Sequence, residues 1–303
     1  MEHEIITLEN DQSRLQLIPA LGGSVAAWDW KLPQGWTPLF RPWDRKTEDR
    51  YTFSCFPLVP WSNRITQGGF EHEGKFHPIK LNRRDEAYPI HGDGWLQDWT
   101  LSESNRYAIT LALESNKFDG DPYHYSATQT FRLLPDGLAI DLIVTHRGDD
   151  SLPYGLGLHP YFPKNGATRL CFKSNGVWLA GEDPIPVGYS KELPATFDYN
   201  RSAALEGPLI DHCFDGWDGK AEIIYPDRGI ALTMLMENSP GYTLMYRPPQ
   251  YDYFCLEPIT QPIDAFHMPG RPGLAVLAKD QSFGLHATFL VSPVNGDSRS
   301  SAR

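Results

Sequence analysis

Apolar residues recur at every second position in several stretches of the chain, which is the period of a half-buried β-strand. Apolar side chains at positions 138, 140, 142 and 144 alternate with residues that include Asp141 and Thr145. Residues 128–134 precede this stretch across Pro135-Asp136-Gly137, a turn sequence in which glycine can supply a positive φ. Together the two stretches predict a β-hairpin.

The same pattern recurs elsewhere. Residues 221–225 and 230–236 flank a second Pro-Asp-x-Gly turn, residues 70–76 form a tighter hairpin sequence, and residues 109–113 alternate as a further strand. Glycine and proline number 26 each and are spread along the chain, so long helices are not expected. We therefore predict an antiparallel all-β fold, either a sandwich or a barrel.

The chain shows no sharp change in composition, no linker and no repeat. Its 303 residues suit one large β-rich domain, and a hydrophobic content of 41% supports a sizeable core. We predict a single domain over residues 1–293, followed by a polar and flexible tail over residues 294–303. Oligomeric state is open between a monomer and a homodimer.

The charge balance limits the partners. With 27 basic and 38 acidic residues the net charge is −11, so binding to nucleic acid or to an anionic membrane is not expected, whereas a small neutral ligand is compatible. No stretch approaches the ~20 apolar residues that span a bilayer. The first residues lack the features of a signal peptide, so we expect a cytoplasmic protein. Four scattered cysteines without a Cys-x-x-Cys pair indicate reduced thiols rather than zinc or redox chemistry.

Three short strings carry candidate chemistry, centred on His91, His159 and Glu257. Two imidazoles and one carboxylate make a general acid/base set that requires neither a nucleophile nor a metal. His159 and Glu257 each precede a proline, which favours extended backbone, so we place both at strand ends. His91 precedes Gly92, which predicts a turn where backbone and ligand approach closely. Taken singly, a histidine is more often structural, whereas an ionised Glu257 inside an apolar run needs a partner or a function.

The chain resembles the aldose 1-epimerase (galactose mutarotase) family over most of its length. The matching stretches are Leu21-Gly22-Gly23, Pro57-Leu58-Val59-Pro60-Trp61-Ser62-Asn63-Arg64-Ile65, His91-Gly92-Asp93-Gly94-Trp95, His159-Pro160-Tyr161-Phe162, Asp211-His212-Cys213-Phe214 and Leu256-Glu257-Pro258. Each string alone is weak, but the ordered set is specific. Residues 83–88 depart from the family pattern, which bears on substrate preference. The resemblance implies a large two-sheet β-sandwich, the supersandwich of the galactose mutarotases, with a sugar site on a concave sheet face.

The same resemblance implies a reaction and its catalytic groups. Free aldohexoses such as galactose and glucose would interconvert between α and β anomers by ring opening and closure, without a cofactor or a metal. Glu257 would be the base on the C1 hydroxyl, His159 the acid on the ring oxygen, and His91 a support on the ring-oxygen side.

Further residues in the matching strings are candidates for sugar binding. Arg64 and Asp211 correspond to ligands of sugar hydroxyls, and the alternative for them is an ion pair between two strands. Asn63 is expected to shape the loop beside the sugar. Trp61 and Trp95 are aromatic candidates against the sugar ring, and Tyr161 and Phe162 are expected to wall the site.

Competing functions remain open at the level of sequence. A hexose-6-phosphate mutarotase would need cations near C6, and Arg83-Arg84 is the one notable pair. A silent sugar-binding module would lack an acid or a base, whereas all three groups are present. A glycoside hydrolase normally uses two carboxylates, and only Glu257 lies in a matching catalytic string.

Metal binding is not expected. His72 and His77 would face opposite sides of a straight strand. Asp119-Gly120-Asp121 resembles part of a calcium loop whose other ligand positions are missing, so it predicts a turn.

Overall fold

The computed structural model describes residues 3–181 and 183–294, and these residues form mainly β-strands. Four 3-10 turns are the helical elements of this part of the chain: Arg50–Thr52, Gly94–Leu96, Phe118–Gly120 and Ala265–His267. Of the predicted flexible tail, residues 295–303 lie outside the described residues.

Twenty-five strands follow one another along the described chain, and most are short. The first thirteen are β1 (Ile6–Glu9), β2 (Ser13–Ile18), β3 (Ser24–Leu32), β4 (Gly35–Pro38), β5 (Pro57–Leu58), β6 (Gly69–His72), β7 (Lys75–Pro78), β8 (Thr100–Ser104), β9 (Ala108–Asn116), β10 (His124–Leu134), β11 (Gly137–His146), β12 (Leu152–Tyr154) and β13 (Gly157–Leu158). The remaining twelve are β14 (Tyr161–Pro163), β15 (Arg169–Phe172), β16 (Gly176–Ala180), β17 (Pro186–Ser190), β18 (Ala203–Ala204), β19 (Ile210–Asp215), β20 (Lys220–Tyr225), β21 (Ile230–Met236), β22 (Tyr242–Arg247), β23 (Tyr253–Ile259), β24 (Ala275–Leu277) and β25 (Ser282–Pro293).

Two large sheets dominate the architecture. One has nine strands in the order β18-β15-β20-β21-β25-β11-β10-β9-β8, and the other has eight, with the path β17-β16-β19-β22-β23-β13-β5 and β14 paired to β23. Strands β1 to β4 form a smaller sheet, and β6-β7 and β12-β24 form two ribbons. The strand pairs within both large sheets are antiparallel, so the predicted all-β two-sheet sandwich is confirmed.

The predicted hairpins are present where the alternation placed them. Strands β10 and β11 pair from Tyr125↔His146 to Leu134↔Gly137 around the Pro135-Asp136 turn. Along β11, Leu138, Ile140 and Leu142 are fully buried, because alternate side chains of a strand point to one face. The β20–β21 and β6–β7 hairpins and the β9 strand are likewise confirmed.

A single large core lies between the two sheets. It contains Ile140 and Phe289 of the nine-stranded sheet together with Phe254 and Leu256 of β23. Phe162 also belongs to this core, where it packs against Phe254 with ring centroids 5.4 Å apart, so the prediction that it walls the site was wrong. The reason is the strand period: Tyr161, one position earlier, faces the opposite side of the sheet.

Glu257 lies within β23 rather than at a strand end, which corrects the expectation from the following proline. The Thr260 N–H donates to Leu156 O at 2.8 Å. Residues two apart in a strand direct their backbone nitrogens to the same side, so the Pro258 nitrogen also points to this edge of β23. On that side β23 changes partner from β14 to β13, and pairing is interrupted. A nitrogen that cannot donate is tolerated there. His159 lies at this interruption, between β13 and β14.

Candidate active site

A cleft of about 280 Å³ opens on the face of the eight-stranded sheet that points away from the large core. It is lined by thirteen residues: Tyr51, Asn63, Arg64, Glu86, Ile90, His91, His159, Tyr161, Asp211, Leu244, Tyr246, Tyr253 and Glu257. Seven of the eight residues predicted for the site lie in this lining, and Trp95 does not.

Three neighbouring strands form the floor of the cleft. Asp211 of β19 is opposite Tyr246 of β22, and Leu244 of β22 is opposite Glu257 of β23. Because successive side chains alternate between the faces of a sheet, these four side chains share one face. The carboxyls are therefore held by regular sheet backbone rather than by loops.

His159 lies in the two-residue interval between β13 and β14, directly beside Glu257. Its Nε2 is 3.3 Å from Glu257 Oε1, and both side chains are buried. The imidazole is stacked between Phe56 and Tyr161, with ring centroids 4.6 and 4.8 Å away. Within the described part of the chain, His159 Nδ1 and Glu257 Oε2 are buried without a hydrogen-bond partner. Burying a polar atom without a hydrogen-bond partner costs free energy. Such atoms are typical of sites where a ligand supplies the missing partner.

His91 approaches the same point from a turn. It has a φ of 62° and Gly92 a φ of 70°. A Cβ on Gly92 would lie 2.2 Å from Val59 O, so this position requires glycine. The ring of His91 lies 5.2 Å from that of His159, nearly perpendicular to it.

The tautomer of His91 follows from its contact with Asn63. The Asn63 backbone N–H donates to His91 Nδ1 at 3.1 Å, and the backbone N–H of His91 donates to Asn63 O at 2.9 Å. A neutral imidazole that accepts at Nδ1 carries its proton on Nε2. Asn63 itself has a φ of 55°, a conformation that asparagine tolerates better than most residues. Its amide shapes the loop, because Oδ1 accepts from the Arg64 N–H at 3.0 Å.

Burial dominates the titration of the three acid/base groups. It raises the pKa of Glu257 well above its usual value, and the nearby Asp211 carboxyl raises it further while Arg64 opposes the shift. Burial also lowers the pKa of His159 and of His91. Burial in the cleft therefore favours an uncharged imidazole beside a protonated carboxyl. That pair contains the same number of protons as an imidazolium beside a carboxylate.

Arg64 is held by a carboxylate that the motifs did not indicate. Its Nε donates to Glu86 Oε2 at 3.0 Å and its Nη2 to Glu86 Oε1 at 3.2 Å. The alternative considered for Arg64 and Asp211 was an ion pair between two strands, but the ion pair of Arg64 is with Glu86. Burial raises the pKa of Asp211, with Arg64 lowering it and Glu86 raising it.

Other lining residues also escaped the motifs. Glu86 lies in the segment over residues 83–88, whose departure from the family pattern was the available signal. Tyr51, Tyr246 and Tyr253 carried no signal, because an isolated tyrosine in a strand or loop is ordinary in sequence. Only the pairing of distant segments places them on one cleft.

Trp95 does not reach the cleft, which corrects its prediction as a sugar contact. It is fully buried and stacks behind Tyr51 and Phe56, with ring centroids 5.5 and 5.2 Å away. Its indole N–H donates to Gly92 O at 2.9 Å, so it supports the turn that carries His91. Trp61 is also buried and packs on Tyr123, away from the lining.

A buried carboxyl anchors the other end of this turn. Asp93 accepts from the Tyr125 hydroxyl at 2.5 Å and from the Ser115 hydroxyl at 2.9 Å. Burial raises the pKa of Asp93 to about 6, although these hydrogen bonds lower it. The His91 turn is thus fixed to β9 and β10 of the other large sheet.

The histidine pair at residues 72 and 77 is arranged differently from the expectation. His72 and His77 lie on the two strands of the β6–β7 hairpin, and their ring centroids are 6.4 Å apart. A straight strand was the wrong premise, because Glu73-Gly74 turns the chain with positive φ at both residues. Across residues 3–181 and 183–294, no group of three or more His, Cys, Asp or Glu side chains is arranged to hold a metal ion.

Comparison with known proteins assigns the family. The family model for aldose 1-epimerase matches residues 4–290. YphB, an uncharacterized protein of Escherichia coli K12, is 34% identical over 253 residues, which cover 81% of this chain and 86% of that protein. The crystal structure of a predicted aldose 1-epimerase from Escherichia coli K12 has a TM-score of 0.90 at 31% identity, covering 97% of this chain and 100% of that one. The chain belongs to the aldose 1-epimerase family.

More distant structures share the fold. A galactose mutarotase-like protein from Clostridium acetobutylicum has a TM-score of 0.78 at 16% identity, covering 97% of this chain and 96% of that one. The large two-sheet sandwich is therefore that of the galactose mutarotase-like structures. In the described part of the chain, no helix has the length and apolar character needed to cross a membrane.

Proposed function

We propose that this protein is a mutarotase that interconverts the α and β anomers of free aldohexoses. The observation that carries the proposal is the contact of 3.3 Å between His159 Nε2 and Glu257 Oε1. This contact lies inside a cleft of about 280 Å³ that is lined by polar groups. One acid and one base held together are sufficient for opening a cyclic hemiacetal. Membership of the aldose 1-epimerase family supports the same reaction.

The reaction runs through an open-chain aldehyde. Glu257 accepts the proton of the C1 hydroxyl while His159 donates a proton to the ring oxygen, and the bond between C1 and the ring oxygen breaks. The C1–C2 bond then rotates. On closure Glu257 donates its proton to the carbonyl oxygen at C1, and His159 accepts the proton of the hydroxyl that attacks C1. Attack on the other face of the carbonyl gives the other anomer.

The environment of the pair suits these transfers. Ring opening converts an imidazolium and a carboxylate into a neutral imidazole and a protonated carboxyl. Burial lowers the pKa of His159 and raises that of Glu257, so desolvation favours the neutral pair that ring opening produces. Each positioned proton transfer contributes roughly 10²–10⁴-fold to a rate.

The surrounding residues orient the sugar. With Nδ1 occupied by the Asn63 N–H, neutral His91 directs an Nε2–H donor toward the cleft. Arg64 and Asp211 supply a donor and an acceptor for ring hydroxyls. Tyr161, stacked on His159, forms an apolar surface beside them.

The test is anomer equilibration in freshly dissolved sugar. Polarimetry or NMR on α-glucose, α-galactose and other aldoses should show faster equilibration with the protein than the spontaneous rate, and the final anomer ratio should be unchanged. A rate equal to the spontaneous one across the panel, at saturating sugar and micromolar protein, would refute the proposal. Sugar binding without rate enhancement would identify a binding protein instead.

A further inference from the structure

The guanidinium of Arg64 has little free surface for a substrate. Glu86 lies 2.9 Å from Nη2 in the ion pair and also accepts from Nε, and the two side chains are only 11% and 15% exposed. Nη1 contacts Asn63 Oδ1 at 3.4 Å, a long hydrogen bond. The Nε/Nη2 edge, one of the two edges that can clamp an anion with two parallel hydrogen bonds, is therefore already occupied by a carboxylate.

The neighbouring cation is also occupied. The Arg83 guanidinium stacks over the Tyr51 ring, 4.0 Å from its centroid. Arg83 is paired with Asp49 at 2.9 Å and with Asp85 at 2.6 Å, and it is not among the lining residues. The guanidinium of Arg83 is therefore already paired with two carboxylates, and neither Arg83 nor Arg84 lines the cleft.

The charges that line the cleft favour the acidic side. Among the lining residues, Arg64 supplies one basic side chain, whereas Glu86, Asp211 and Glu257 supply three carboxyls. With Glu257 protonated, one cation still faces two carboxylates. An anionic group carried by a sugar would be repelled and would find the Nε/Nη2 edge of Arg64 already paired with Glu86.

We infer that Glu86 is a specificity-determining positioning residue that restricts the site to uncharged aldoses. It acts through Arg64, by engaging its Nε and Nη2 and leaving Nη1 to meet a sugar hydroxyl. The excluded class comprises aldoses with an anion at C6, such as hexose 6-phosphates and hexuronates. This inference rests on the proposed mutarotase function of the same cleft.

The experiment compares neutral and anionic sugars in three proteins: the wild type, Glu86→Gln and Asp85→Asn. The control Asp85→Asn makes the same charge change one residue away, where the carboxylate is exposed and outside the lining. The readout is the ratio of kcat/KM for glucose to that for glucuronate and for glucose 6-phosphate. We expect the wild-type ratio to be about 100 or more, and Glu86→Gln to reduce it by roughly tenfold, mainly through KM for the anionic sugars. Asp85→Asn should leave the ratio within about twofold of the wild type.

Two further measurements separate the role of the Glu86 charge from a structural role, and sugar binding from turnover. Glu86→Asp keeps the charge and should retain discrimination, which a purely structural role for Glu86 would not predict. Sugar affinities of the wild type, measured by calorimetry, should favour glucose over glucuronate even if no sugar is turned over. Failure of turnover on every sugar would refute the mutarotase proposal alone. Equal affinity of the wild type for neutral and anionic sugars, or an unchanged ratio in a folded Glu86→Gln, would overturn the inference.

Discussion

The β10–β11 hairpin and the pair of turns at Asn63 and His91 are built on opposite principles. The hairpin follows regular extended backbone over ten paired positions, and most of its inward side chains are apolar, among them Phe131, Leu138 and Ile140. The two turns place non-glycine residues at φ values of 55° and 62°, and they are joined by two hydrogen bonds, from the His91 backbone N–H to Asn63 O and from the Asn63 backbone N–H to the His91 ring. Regular alternation provides a stable frame, whereas a few unfavourable backbone positions orient the ring of His91.

β23 shows the same contrast within one strand. Phe254 and Leu256 face the large core, and Glu257 faces the cleft. One face of the strand therefore packs in the core, and the other carries the proposed base. Substitutions on the two faces should separate these effects.

The largest effect is expected for Glu257→Gln, which retains the size of the side chain and removes its basicity. Loss of a positioned proton transfer should reduce kcat by about 10²–10⁴-fold, measured by polarimetry on an α-aldose. Glu222→Gln is the matched control in the nine-stranded sheet, outside the cleft, and should retain full activity. A Glu257→Gln enzyme within threefold of the wild type would contradict the assignment of the base.

Ile140→Ala should produce the reverse separation. Removing a fully buried side chain from the core should lower the free energy of unfolding by roughly 2–5 kcal/mol in urea titrations. The protein that remains folded should keep kcat and KM within about twofold, because the cleft lies on the other sheet. A large change in KM with little loss of stability would show that the frame and the site are coupled.

Asn63 tests the turns directly, by comparing Asn63→Gly with Asn63→Ala. Glycine tolerates the left-handed φ, whereas alanine should lose a further ~1–2 kcal/mol in the free energy of unfolding. Displacement of the N–H that orients His91 should also lower kcat/KM more in Asn63→Ala than in Asn63→Gly. If the two variants behave alike, the backbone conformation of residue 63 does not position the imidazole.

The smallest effect concerns pH and His91. Burial lowers the pKa of His91 below the unfolded value of 6.5, so below pH 6.5 the unfolded state binds the proton more readily than the native state does. The stability associated with His91 is therefore present above pH 6.5 and is lost as pH falls toward the folded pKa. Between pH 7.5 and 5.5 the wild type should lose about 1 kcal/mol more than His91→Gln in urea titrations. Equal losses would indicate that the ring is protonated without penalty.

The sequence by itself determined the strands and the candidate acid/base groups. Alternation of apolar residues depends on local geometry, so the hairpins around residues 135 and 226 could be located before any contact was known. His91, His159 and Glu257 were visible because each adjoins a proline or glycine in a family string. The assignment of Glu257 to a strand end was wrong, because a local rule about proline cannot reveal that the neighbouring strand is interrupted.

Only the tertiary structure decided which side chains meet. The Arg64–Glu86 pair joins residues 22 positions apart, and the placement of Tyr246 and Tyr253 on the cleft depends on the pairing of β22 with β23. Trp95 shared a string with His91 yet packs behind the cleft, because the direction of a side chain in a turn depends on the backbone around it. Strand period is a property of a few consecutive residues, whereas burial and charge pairing depend on segments that the chain brings together only on folding.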